Sequence, residues 1–138
     1  MSNIKSQAEQ LFDAIETGKG AEGTVAFCHP GATFSCQAAA LAEVTTVEGY
    51  AEWLKGLFTP IPDMHPEIKS LAADEERNNV TVFSVVHGTQ SGEGGPVPPT
   101  GKVVAADYVY VFDFEGDRVR HMTKIWNDGF TMQLLGWA

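Results

Sequence analysis

Apolar and polar positions change rhythm about halfway along this chain. Ile4, Ala8, Leu11, Phe12 and Ile15 recur at helical spacing, which predicts an amphipathic helix over residues 3–17. Gly18 and Gly20 end it, and a second short helix is expected from about Ala21 to Phe27, stopped by Pro30-Gly31. Residues 32–37 alternate as a strand, with Phe34 and Cys36 on one face and Thr33, Ser35 and Gln37 on the other. Thr45 and Glu48 have the spacing of a capping box. The helix they open carries Tyr50, Trp53, Leu54, Leu57 and Phe58 on one stripe and is closed by Pro60 and Pro62.

From residue 67 the period shortens to that of strands. Residues 67–73, 80–87, 103–114 and 118–127 read as four strands of a meander. Five glycines and three prolines between Gly88 and Gly101 predict a long loop. A polar hinge, Asn127-Asp128-Gly129, then precedes a short C-terminal helix carrying Phe130, Met132, Leu134, Leu135 and Trp137. Helices first and strands afterwards imply an α+β arrangement, one curved sheet with helices packed on a face.

The length of 138 residues suits one domain, residues 1–138. A net charge of −9 repels phosphate backbones and anionic lipids, so neither nucleic acid nor membrane is an expected partner. No apolar run approaches the ~20 residues needed to span a bilayer. The first residues lack a basic stretch followed by an apolar block, so a cytoplasmic location is expected. Cys28 and Cys36 read as free thiols. The histidines show no metal-ligand spacing and no glycine loop suits a phosphate, so no metal or cofactor is expected. Cys28 next to His29 is weak as a nucleophile pair, because such a pair needs apposition in space.

Parity along the last strand places Val119, His121, Thr123, Ile125 and Asn127 on one face. Arg120, Met122, Lys124 and Trp126 occupy the other. The first face, apolar with few polar groups, reads as the pocket side; the second, with two cations, as the exterior. A three-residue hairpin loop at 115–117 would set Val111 opposite His121 and Asp107 opposite Ile125. A two-residue loop would exchange the faces, and the sequence accommodates both. The candidate catalytic groups are Asp107 or Asp128 as a base, Asn127 as an oxyanion donor and His121 as a donor or shuttle. The competing readings make Asp128 a helix cap and His121 a hydrogen-bonded core histidine. Tyr50, Trp53, His65, Tyr108, Tyr110, Thr123 and Trp126 are the candidate ligand contacts, favouring a flat, apolar or aromatic small molecule.

Several short motifs add a family likeness. They are Pro62-Asp63-Met64-His65, then Gly88-Thr89 with Gly92, then Pro98-Pro99-Thr100-Gly101-Lys102, then the strand pair around Gly116, and the closing Leu135-Gly136. In this order, from about Gln7 to Trp137, the chain resembles the SnoaL-like polyketide cyclase family of the nuclear-transport-factor-2-like superfamily. The resemblance implies a cone-shaped, cystatin-like α+β barrel, with a strongly curved antiparallel sheet and three N-terminal helices around a pocket. It also implies a homodimer packed through the outer face of the sheet. The expected activity is cofactor-independent acid/base chemistry, of cyclase or isomerase type, on an enolisable apolar carbonyl compound. The alternative is a non-catalytic ligand-binding or dimerisation module of the same fold. In the cyclases an Asp ending the last strand is the acid/base. Counting back from Leu135-Gly136 puts Asn127 there, and a shift of one residue puts Asp128 there.

Overall fold

The computed structural model describes residues 3–138; Met1 and Ser2, the head of the segment read above for a leader, lie outside it. The first helix, α1, spans Ile4–Glu16, capped by Asn3, whose side chain accepts from the Ser6 N–H at 3.1 Å. Its apolar stripe is buried throughout, and Glu16 continues the line of Ile4, Ala8 and Phe12 at four-residue steps. The expected helix after Gly20 is only a 3₁₀ turn, Ala21–Thr24. Strand β1, Cys28–Cys36, starts four residues earlier than the alternation suggested, running through Pro30-Gly31.

The second helix, α2, covers Val47–Leu57. Its N-cap is Thr46 rather than Thr45, and the Thr46 hydroxyl accepts from the Gly49 N–H at 3.0 Å. Thr45 is engaged elsewhere, its carbonyl accepting from the Phe34 N–H at 2.8 Å. Strands β2 (His65–Asp74), β3 (Asn79–Thr89), β4 (Val103–Glu115) and β5 (Arg118–Trp126) follow, and then α3 (Asp128–Leu135). Among the described residues, two of the three α-helices are therefore N-terminal and the third follows the last strand.

The sheet order is β1-β5-β4-β3-β2. It is mixed rather than wholly antiparallel, because β1 pairs in parallel with β5. Alternation along a strand fixes faces, not direction, and β1 is joined to β5 by no hairpin that would force an antiparallel pair. The inner face carries Tyr108, Tyr110, Phe112 and Phe114 of β4, buried against Leu11, Phe12 and Ile15 of α1 and Tyr50 and Leu54 of α2.

The glycine- and proline-rich loop after β3 is tied down at several points. Gln90 is fully buried, accepts from the Thr100 N–H at 2.7 Å and donates to the Gly92 carbonyl at 2.9 Å. Gly92 donates to the Pro60 carbonyl at 3.0 Å. A Cβ on Gly92 would sit 2.1 Å from the Thr59 carbonyl oxygen. Backbone cannot swing aside as a side chain can, so Gly92→Ala should cost about 1–3 kcal/mol of stability, read by urea unfolding. An unchanged midpoint would show that the loop is not held against Thr59.

Candidate functional site

The hairpin joining β4 to β5 turns in two residues, Gly116 and Asp117, with Glu115 opposite Arg118. Phe114 then pairs with Val119, but Asp113 pairs with His121, so Arg120 is an extra residue, a β-bulge. The bulge reverses the parity read from the sequence. Val119, Met122 and Lys124 are buried on the inner face, and Trp126 follows them. His121, Thr123 and Ile125 point to the outer one, on the side of Asp113, Val111 and Val109.

Lys124 thus enters an apolar funnel between the sheet, α1, α2 and α3. The cavity volume is about 40 Å³, within about 600 Å³ of non-atom space that includes open solvent. Its wall is apolar and aromatic, with Leu54, Leu57, Met64, Val104, Met132 and Leu135 among its contributors. The Lys124 ammonium lies 4.1 Å from the ring centre of Trp126 and 4.9 Å from that of Tyr50, a cation–π setting. It donates to the Tyr50 hydroxyl at 2.9 Å. Tyr50 and Tyr110 share a short hydroxyl–hydroxyl hydrogen bond. Tyr110 donates to Glu16 Oε2 at 3.0 Å, and Tyr108 donates to Glu16 Oε1. Since Tyr110 donates its proton to Glu16, Tyr50 must donate to Tyr110. One directed chain results: Lys124 to Tyr50 to Tyr110 to Glu16.

Both ends of this chain are deeply buried, Lys124 at 5% and Glu16 at 7% exposure. Burial pushes the Lys124 ammonium down to about 8, against the attraction of Glu16 and Cys36. Burial likewise pushes the Glu16 carboxyl above its ordinary value, outweighing the Tyr108 hydrogen bond, the Lys124 charge and the Tyr110 hydrogen bond. Tyr50 and Tyr110 are held well above the usual phenol value, first by burial and then by the Glu16 charge. Desolvation therefore brings the ionised and neutral forms of the Lys124–Glu16 pair closer in energy than they are in water.

The sequence-derived candidates divide between the two sides of the sheet. Tyr50, Trp53, His65, Tyr108, Tyr110 and Trp126 line the funnel; Thr123 does not. His65 stands at its rim, exposed, its ring stacked on His87 with centroids 5.4 Å apart. Asp107, Thr123, Asn127 and Asp128 gather instead around an open depression on the outer side. Asp107 is exposed there, and Val109, not Asp107, faces Ile125. His121 has both ring nitrogens engaged, Nδ1 with the Thr33 hydroxyl at 2.7 Å and Nε2 with that of Ser35 at 3.0 Å. Asn127, expected on the pocket side, is the exposed N-cap of α3 and accepts from the Phe130 N–H at 3.0 Å. Asp128 is not the cap; it accepts from the Ala40 N–H at 2.9 Å and ties the 3₁₀ turn Ala39–Leu41 to the start of α3.

His29 binds the Glu115 carbonyl at 2.9 Å, and burial pushes the neighbouring Cys28 thiol up to about 12, so that pair forms no activated nucleophile. Among the described residues no group of three or more metal-ligating side chains converges.

Glu16 and Lys124 were missed in the sequence although each left a trace. Glu16 sits where the stripe of α1 calls for an apolar residue. Lys124 falls between Met122 and Trp126 on a single strand face. A charged group in phase with apolar neighbours signals a buried ion with a partner.

No curated protein matches the chain. Among solved structures, IdmH, a candidate polyketide cyclase from Streptomyces antibioticus, superposes with a TM-score of 0.80 at 18% identity, over 97% of this chain and 99% of that one. A candidate polyketide cyclase from Acidithiobacillus ferrooxidans gives 0.75 at 22%, over 99% and 96% of the two chains. TerC, co-crystallised with polyporic acid, gives 0.71 at 13%, over 98% and 99%. At such identities the likeness is one of fold, the curved nuclear-transport-factor-2-like α+β barrel. The SnoaL-like domain signature, by contrast, matches the sequence itself over residues 8–122, and by that match the chain belongs to the SnoaL-like domain family.

Proposed function

We propose that this protein catalyses proton transfer on an enolisable carbonyl compound, small and apolar or aromatic, in the manner of a cyclase or isomerase and without a cofactor. The observation that carries the reading is the buried relay from Lys124 to Glu16 beside the funnel. One proton shift along its hydrogen bonds turns the ionised pair into neutral Lys124 and protonated Glu16, with no proton taken from solvent. The neutral amine then removes a proton from the carbon beside the carbonyl, and the electron pair moves to the oxygen as an enolate. The ammonium so formed lies next to the negative charge and stabilises it in a site of low dielectric. Returning the proton to a different carbon isomerises the substrate; attack by the enolate carbon on an electrophile within the same molecule closes a ring.

The aromatic wall selects a flat apolar molecule. TerC, of similar fold and co-crystallised with polyporic acid, is in keeping with that choice. The test is exchange of the α-protons of 1-indanone in deuterated buffer, followed by proton NMR. Catalysis predicts exchange well above the buffer rate. Binding without exchange would favour the second reading, a non-catalytic ligand module. One observation speaks for that reading: Asn127, at the cyclase acid position, serves as a cap, and Asp128 holds Ala40.

The same reading includes a cytoplasmic location, in keeping with two free thiols. No helix among the described residues is long and apolar enough to cross a membrane. It also includes a homodimer. Ile125, Val109 and Phe83 form a cross-strand row on the outer face, with Ile125 60% and Phe83 36% exposed. A second copy covering that row would remove its apolar surface from water. Light scattering should give twice the 14.9 kDa chain mass, and Phe83→Lys with Ile125→Lys should halve it. A single-chain mass for the unaltered protein would refute the dimer.

A further inference from the structure

Glu16 accepts a phenol on each of its carboxylate oxygens, and the two phenols stand in different relations to Lys124. Tyr110 donates to Oε2 at 3.0 Å and is a link of the relay, since Tyr50 bonds to it in turn. Tyr108 donates to Oε1, and its hydroxyl is bonded to neither Tyr50 nor Lys124. The two tyrosines are two residues apart on the inner face of β4, both buried, with ring centres 5.1 Å apart. One carboxylate therefore holds the same chemical group at both oxygens, once in the path of the proton and once beside it.

A donor to a carboxylate favours its ionised form, and bonds to an ion are about twice as strong as neutral ones. Burial drives the Glu16 carboxyl upward; of the influences opposing burial, the Tyr108 hydrogen bond comes first, ahead of the Lys124 charge and the Tyr110 hydrogen bond. The other titratable groups facing the pair are Tyr50 of α2 and Cys36 of β1, the register partner of Lys124. Neither donates to Glu16. We propose that Tyr108 is a positioning residue whose hydroxyl, off the relay, holds Glu16 ionised and so keeps the relay proton at the Lys124 end. When that proton arrives on Oε2 from Tyr110, Oε1 becomes a neutral carbonyl oxygen and a weaker acceptor. The weakened bond to Tyr108 is the restraint on the shift, and it keeps the fraction of neutral amine small. This rests on the relay supplying the base, as in the function proposed above.

Tyr108→Phe should raise α-proton exchange on 1-indanone about tenfold when measured well below about 8, where solvent does not deprotonate Lys124. The ring stays, so its contact with the ammonium, 5.6 Å from the ring centre, is kept. Tyr110→Phe, the same change two residues along, should lower that rate, because it cuts the relay. A purely structural role would make both variants slower. Infrared spectra give a readout apart from turnover: the band of a protonated carboxyl, identified by its loss in Glu16→Gln, should grow in Tyr108→Phe. An unchanged band with no rise in rate would overturn this inference alone. A grown band with no exchange in any of the proteins would support it and refute the proton-transfer reading. Should Tyr108→Phe not fold, 3-fluorotyrosine in place of Tyr108 keeps the hydroxyl and makes it a stronger donor. The rate well below about 8 should then fall, and a rate unchanged or raised would overturn the inference.

Discussion

Lys124→Met should lower α-proton exchange on 1-indanone by about 10²–10⁴-fold, the range for loss of a positioned acid/base group. Methionine is unbranched and of similar length, so the cage of Tyr50, Trp53 and Trp126 keeps its filling while the amine is lost. Only the neutral amine accepts the α-proton. Loss of the Lys124 proton to solvent adds to the neutral amine that the internal shift supplies, so the rate in the unaltered protein should climb with pH through about 8, where burial has moved the ammonium. That limb should vanish in the variant. Lys124→Arg separates base from mere cation, because guanidinium stays charged at every accessible pH and cannot take the proton. If the arginine variant exchanged protons at the original rate, the amine would not be the base and the mechanism above would fall.

The second large effect is on stability. Glu16→Gln and Lys124→Met should each destabilise by about 3–5 kcal/mol, since each leaves the opposite charge buried among tyrosines without its counter-ion. The double variant should recover most of that loss, because a neutral glutamine still accepts from a tyrosine hydroxyl and methionine needs no partner. Urea unfolding of the four proteins closes the cycle; simple additivity would show that the two groups do not act as a pair. The pH dependence has a definite sign. Lys124 titrates lower in the folded chain than in the unfolded one, where the ordinary value is 10.5. Between about 8 and 10.5 the unfolded chain holds more protons, so stability rises with pH across that window. Glu16 titrates higher when folded, so its contribution is complete below its ordinary value of 4.5 and fades as pH rises through the folded value. Both slopes should disappear in the double variant.

What the sequence determined by itself was whatever depends on short-range period and turn chemistry. Ile4 to Ile15 could only bury one stripe, Tyr108 to Phe114 could only share one face, and the glycine- and proline-rich run could only be a loop. Those patterns were enough for the α+β class, and the motif order was enough for the family. The side of the last strand was not determined. A single bulged residue, Arg120, turned His121 outward and Lys124 inward. Nothing local marks that position, since a bulge is chosen by how two strands settle against a core, here Val119 under Phe114 and Met122 under Phe112. Nor does any spacing connect Glu16 with Tyr108, Tyr110, Tyr50 and Lys124, residues from four elements far apart in the chain. Their meeting was decided by tertiary packing, because two buried charges and three phenols are stable in an apolar interior only where each supplies another's missing hydrogen bond.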